Sequence, residues 1–384
     1  MIRNFLFIFL IPILSDEVYA YPQFVGQGYN SCIACHHNPY GAGAINDYGR
    51  ALSAGRISGR AFRSHDLSDE QLAEKSGFFY TQPDTSWIRP ALKYRGLALK
   101  NSAGSETSNT EYIHMLARAQ MTLQFGEQNQ LILTGNIDYA PDPRGGQIEE
   151  EENNFRSREH YIGYRPFPSY GIYIGLMDKA FGVRIPDHIA FSRTVNALTM
   201  NDQSHGILNH FLFGEWELGL HYFIGNLAQD EPLRQKGVSS VLERAFGPRL
   251  KAGVSFLNSS SDFTEITSMA TQAKIGFDST SSLVLELGQR ERKILALDET
   301  TTSRYIFGQG HIYLRRGLFF INTLEYLKRD TDQETSVLRI GPGIQYFLTH
   351  GLELRGDIYN TRIFSQENVS DDVWDLTLQV HLWF

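Results

Sequence analysis

From Trp87 to Phe384 apolar and polar side chains alternate with a period of two, segment after segment. No other feature constrains the fold as much, because a strand shows successive side chains on opposite faces. Sixteen candidate strands follow: 87–99, 111–125, 129–139, 155–165, 170–178, 204–213, 215–224, 238–246, 249–257, 265–277, 281–292, 303–314, 317–328, 335–348, 351–362 and 373–384. In the last, Trp374, Leu376, Leu378, Val380, Leu382 and Phe384 share one face, and Asp375, Thr377, Gln379 and His381 the other. Strand 111–125 repeats the split, with Met115, Ala117, Ala119, Met121, Leu123 and Phe125 facing out and His114, Arg118, Gln120 and Gln124 facing in. Lipid outside and water inside require such a division.

The connections alternate in length. Tight turns are expected at 126–128, 166–169, 214, 247–248, 278–280, 315–316 and 349–350. Between them lie the longer loops 100–110, 140–154, 179–203, 225–237, 258–264, 293–302, 329–334 and 363–372. Short turns at one end, long loops at the other and an even strand number predict an all-β fold: a 16-stranded antiparallel transmembrane β-barrel. Both barrel ends then fall on the short-turn, periplasmic side. The chain is 42% hydrophobic, yet no apolar run beyond the N-terminus is long enough for a spanning helix. All four tryptophans lie near strand ends, where an aromatic girdle belongs. A soluble β-sandwich would have strands of similar pattern and is the competing fold.

Residues 1–20 read as an export signal: Arg3 is the charged end, an apolar run follows, and Val18-Tyr19-Ala20 resembles a cleavage site. The expected organisation is therefore a signal peptide at 1–20, a small segment at 21–86 and the barrel at 87–384.

The small segment carries Cys32-Ile33-Ala34-Cys35-His36, the attachment pattern of a c-type haem. Each cysteine can form a thioether to a porphyrin vinyl group, and His36 can supply the proximal nitrogen to the iron. With only two cysteines in the chain, one covalently attached haem c is the most it can hold. The other readings are a dithiol redox pair, which expects a βαβ context, and half a zinc site, which needs a second ligand pair. Residues 21–86 contain no methionine. That leaves His65 as the distal-ligand candidate, with His114 or an open site in competition. Arg50 and Arg56 are candidates to pair with haem propionates, because guanidinium forks match carboxylates. His37 should point away from the iron. Short helices are expected from Asp47 and from Ser68 to Lys75. The segment is too small to bury a haem alone.

An export signal, a single C-x-x-C-H segment and a porin-like barrel together resemble the fused monohaem cytochrome c–porins of bacterial outer membranes. The local match is Pro22-x-Phe24-x-x-Gln27, then Cys32-x-x-Cys35-His36, then Gly49-Arg50. His37 and the turn-rich 38–41 depart from that pattern. The best-known members are iron oxidases. The resemblance therefore implies one-electron transfer between an extracellular donor or acceptor, ferrous iron included, and a periplasmic c-type cytochrome or other electron carrier. The alternative is a diffusion or uptake porin with a tethered structural or sensory haem.

Loop 179–203 is the longest, and its Phe181, Val183, Ile185, Ile189, Ala190 and Phe191 want burial. It is expected to fold into the lumen and meet the small segment, bringing Lys179, Arg184, Asp187, His188 and Arg193 with it. His114, Arg118, Glu286, Arg355 and His381 are expected to line the lumen. The acidic run 149–152 is expected to be solvated or to attract cations. A formal charge of −8 argues against nucleic-acid binding, and no hydrolase or phosphate-loop motif is present. The expected surroundings are outer-membrane lipid.

Overall fold

The computed structural model describes residues 22–384 except 42, 63–64, 82–86, 103–107, 140–153, 188, 278–279 and 366–371. The expected export signal, the acidic run 149–152 and His188 lie outside the described residues. The barrel strands are β1 (Ile88–Asn101), β2 (Asn109–Phe125), β3 (Leu131–Tyr139) and β4 (His160–Phe167). Then come β5 (Tyr170–Met177), β6 (Ser204–Phe213), β7 (Trp216–Phe223) and β8 (Lys236–Ala245). The second half comprises β9 (Leu250–Ser260), β10 (Thr264–Gly276), β11 (Ser282–Ile294) and β12 (Glu299–Arg315). It ends with β13 (Leu318–Lys328), β14 (Ser336–Thr349), β15 (Leu352–Phe364) and β16 (Val373–Trp383). Each strand pairs antiparallel with the next, and β1 pairs with β16, so the sheet closes with no free edge.

The burial pattern is inverted relative to a water-soluble protein. Ile162, Ile174, Tyr222, Val254, Met269 and Leu378 are exposed on the outer face. Gln120, Asp138, His210, Glu243, Lys251 and Gln272 are buried on the inner one. Leaving a large aliphatic side chain in water forfeits roughly 1.5–3 kcal/mol, so a continuous wall of them fits hydrocarbon and not water.

Two local departures from the alternation matter. A bulge in β2 shifts the register between Arg95 and Gly96, so Arg95 pairs with Leu116 and Gly96 with His114. Leu116 keeps the inward face of Arg118, while the extra residue turns His114 outward, against Tyr94 and Tyr139, whose rings lie 5.2 and 5.5 Å away. His114 is therefore not a lumen residue, contrary to strict alternation. The second departure splits the expected strand 155–165 into a two-residue piece, Phe155–Arg156, and β4. Asn136 Oδ1 accepts the backbone N–H groups of Arg158 and Glu159 at 3.0 and 3.3 Å, which holds the break and keeps both side chains buried.

Residues 22–80 form a compact segment seated in the short-turn mouth. It contains α1 (Pro22–Gly26), α2 (Asp47–Leu52) and α3 (Asp69–Glu74). The predicted second helix has its capping box, Ser68 and Gln71 exchanging side-chain and backbone hydrogen bonds. Phe24, Cys35, Leu52 and Ile57 share one apolar cluster with Phe319 and Phe347 of the barrel. Gly59 N–H donates to Phe347 O at 2.7 Å, extending the rim of β14. Tyr40 projects into the lumen against Gly219, where any Cβ would collide with its hydroxyl.

Arg316, in the turn after β12, is the main polar clamp on the segment. Its guanidinium donates to Ser58 O at 2.7 Å and Gly55 O at 2.8 Å, and pairs with Asp69. Charge-assisted bonds of this kind contribute about 1.5–3 kcal/mol before solvent screening, and the clamp is partly exposed. Arg316→Ala is thus expected to raise the population of undocked segment by about tenfold. Limited proteolysis between residues 47 and 75 reads this directly, and an unchanged cleavage rate would argue against the clamp.

Candidate functional site

The motif forms a single tight turn. Cys32–Ala34 is a short 3-10 helix, and Cys32 O accepts from Cys35 N at 3.1 Å and His36 N at 2.9 Å. This turn places Cys32, Cys35 and His36 on one cavity. Asn46 fixes the turn to α2: its N–H bonds Cys35 O at 2.9 Å, its amide donates to Ala34 O at 3.0 Å, and its Oδ1 caps Gly49 N at 2.8 Å. Gly41 has φ +76°, and a Cβ there would lie 3.4 Å from Cys32 Sγ and 3.9 Å from His36 Cδ2. Glycine at this position serves both the left-handed backbone and the open face beside the motif.

The cavity measures about 260 Å³ and joins three parts of the chain. The small segment supplies Phe24, Cys32, Cys35, His36 and Ile57; the barrel wall supplies Lys93, Arg95, Arg118, Phe347, His381 and Trp383. Loop 179–203 supplies Arg184, Ile185, Arg193 and Met200. The lining is strongly cationic. Lys93, Arg95, Arg118, Arg158, Arg184 and Arg193 face only two carboxylates, Glu159 and Asp178. Some of that charge is already paired. Arg118 forms a fork with Asp138 at 2.7 and 2.6 Å, and Arg184 pairs with Asp178. Lys93 Nζ donates to Gly43 O at 2.6 Å, while Arg95 Nε and Arg193 Nε are buried without a hydrogen-bond partner. Two thiols, an imidazole, an apolar floor and surplus guanidinium groups suit a flat apolar macrocycle with anionic edges. A zinc site would need more: among the described residues no three His, Cys, Asp or Glu side chains gather as metal ligands.

No protein-family model matches the chain, and no curated protein matches it in sequence. Solved structures do resemble it in fold. The outer-membrane expressed OmpT of Vibrio cholerae has a TM-score of 0.61 at 8% identity, covering 79% of this chain and 99% of that one. An anion-selective porin from Comamonas acidovorans has a TM-score of 0.57 at 10% identity, covering 77% and 99%. The outer membrane channel DcaP of Acinetobacter baumannii has a TM-score of 0.56 at 11% identity, covering 77% and 97%. The chain has the fold of outer-membrane porins.

The sequence-predicted site residues are only partly brought together. Cys32, Cys35 and His36 meet at the cavity, and so does His381, whose Nδ1 lies 3.1 Å from Glu353 Oε2. His65 does not reach it: its side chain is 81% exposed and pairs with Asp66, on the stretch that crosses from the β14 rim to α3. Arg50 reaches the barrel wall instead, donating to Pro90 O at 3.0 Å, and Arg56 is exposed. The cations around the cavity come from the barrel and its loop. His37 does not line the cavity; it is buried and accepts from the Gln124 amide at 3.1 Å. Burial, opposed by Asp47 and helped by Arg50 and Arg89, lowers its pKa to about 4, so it stays neutral and able to accept.

Loop 179–203 folds inward as expected, with Phe181, Val183, Ile185 and Ala190 buried against the wall, although Ile189 is exposed. Glu286 and Arg355 anchor it. Glu286 accepts from Val183 N at 2.6 Å, and Arg355 Nη1 donates to Asp187 Oδ1 at 2.7 Å. Trp383 also turns inward to cover the cavity, in contact with His381, rather than joining an outer girdle.

Proposed function

We propose that this chain is an outer-membrane barrel with one covalently attached c-type haem at its periplasmic mouth. In this reading it passes single electrons between an extracellular donor or acceptor, such as ferrous iron, and a periplasmic cytochrome or other electron carrier. The observation that carries the reading is the placement of Cys32, Cys35 and His36 together on a cavity lined jointly by the segment, the barrel and the inward loop. Cys32 and Cys35 would tether the group, and His36 would supply a nitrogen to its iron. Lys93, Arg95 and Arg193 would meet its propionates. The bound haem supplies reversible one-electron exchange at iron. The chain's own part is to exclude water with Phe24, Ile57, Phe347 and Trp383, and to hold the cationic edge in place.

A second reading has its own support. The structural neighbours are porins and channels, and the cationic lining of the cavity also suits small anions. The two are separated by paired measurements on intact cells and on lipid bilayers. Electron transfer predicts that a membrane-impermeant ferrous complex reduces the haem from outside and that the purified protein conducts ions poorly. A diffusion porin predicts high single-channel conductance and no reduction by the outside donor.

A further inference from the structure

Met200 lines the same cavity as Cys32, Cys35 and His36. We infer that Met200, from the barrel's inward loop, is the distal axial ligand that completes the haem site. The inference rests on the proposal that Cys32, Cys35 and His36 hold a haem.

The donor set narrows the choice. His36 supplies one side of the iron, and the small segment contains no methionine for the other. Of the remaining described side chains on the cavity, Met200 and His381 are the neutral donors suited to haem iron. His381 is the competitor: Glu353 holds its Nδ1 at 3.1 Å and Trp383 packs on its ring with centroids 4.9 Å apart, which leaves Nε2 as its donor atom, so both residues enter the test below. The other described methionines are elsewhere: Met115, on β2, does not line the cavity, Met121 and Met269 are exposed, and Met177 is buried in a cluster with Tyr161, Tyr173 and Leu208.

The turn that carries Met200 is fixed on both flanks. Before it, Thr199 donates its N–H and hydroxyl to Asp202 Oδ2 at 2.7 and 2.6 Å. After it, Asn201 Oδ1 accepts from Arg158 Nε of the barrel at 3.1 Å. Two steps earlier, Leu198 is buried against Phe181, Leu257 and Ile266. Three anchors therefore surround one half-buried thioether on the cavity wall. A ligand needs such anchors, because its sulfur must be held against the entropy of a flexible side chain. The consequence is that the segment and the barrel make one redox centre, with the proximal ligand from one and the distal ligand from the other. His/Met ligation also raises the potential relative to two histidines.

The test uses full-length protein with its haem attached, comparing wild type with Met200→Leu, Met200→His and His381→Ala. Leucine conserves volume and so spares the fold. Met200→Leu is expected to convert a low-spin ferric haem to high spin in electron paramagnetic resonance. It should also abolish the thioether-to-iron charge-transfer band, open the ferrous haem to carbon monoxide and lower the midpoint potential. Met200→His should restore the low-spin state at a potential below wild type, and His381→Ala should keep the wild-type signature. An unchanged low-spin spectrum in Met200→Leu overturns the assignment, as does a wild-type haem that is already high spin. Loss of the low-spin state only in His381→Ala transfers the role to His381. Absence of covalent haem from the wild type sinks the proposed function itself, a different result from any of these.

Discussion

Replacing Cys32 and Cys35 together with serine is expected to remove all covalently attached haem and leave the barrel folded. A serine hydroxyl does not add to a vinyl group as a thiol does, so both tethers vanish. Cys35 is the more sensitive position, because it is buried in the cluster of Phe24, Leu52, Ile57, Phe319 and Phe347. An oxygen placed there without a partner costs about 1–3 kcal/mol. That cost falls on docking of the segment. The barrel is closed by strand pairing from β1 to β16, and neither cysteine belongs to a strand. Haem staining of denatured protein should therefore fall to background, while the folded form keeps its heat-modifiable gel mobility. Single variants should retain one thioether and an intermediate stain. Staining that survives in the double variant would show that the motif is not an attachment site. A double variant that fails to insert would show that the segment is needed to build the barrel.

The barrel was legible because membrane strands have a hard constraint: each side chain faces lipid or lumen, and the sequence must state which. Trp374, Leu376 and Leu378 against His381 state it plainly. Where one extra residue enters, as at the β2 bulge, the parity argument inverts everything beyond it, and so His114 changed face. The motif was legible because its chemistry is local, two thiols and an imidazole within one turn. The remainder of the cavity is not local. Arg50 was a reasonable propionate partner by proximity in sequence, yet the cations at the cavity arrive from β1, β2 and loop 179–203, tens to hundreds of residues away. His65 failed for a similar reason: closeness along the chain does not put a residue on the same face. Met200 carried one weak signal, as the sole methionine in the loop expected to fold inward. Sequence alone does not say which residues of such a loop meet the segment.

Removing residues 187–191, within the stretch 184–193, is expected to open the barrel and to speed reduction of the haem by an impermeant outside donor, with the haem still attached. The stretch is the crosspiece of the lumen. Asp187 is held by Arg355 on β15 and by Gln309 on β12 at 2.7 Å. Phe191 N–H donates to Glu325 on β13 at 2.6 Å, and Arg339 on β14 reaches Ile189 O at 3.1 Å. These bonds tie the loop to four successive strands on the side of the barrel away from β5, where it starts. It therefore spans the pore between the motif and the long-loop end. A haem held at the short-turn mouth cannot also touch the far face of an apolar band about 25 Å tall, so an outside donor has to enter the lumen. With the crosspiece present, the donor stops at the Asp187–Arg355 layer; with it gone, the donor reaches the cavity edge. Single-channel conductance should rise from near closure to that of an open porin, and the reduction rate should rise with it. If conductance rises while the outside donor still never reduces the haem, and a periplasmic donor reduces it readily in both forms, electrons do not cross through this lumen. The tethered haem would then serve the periplasmic side alone, and the barrel would be a gated diffusion channel.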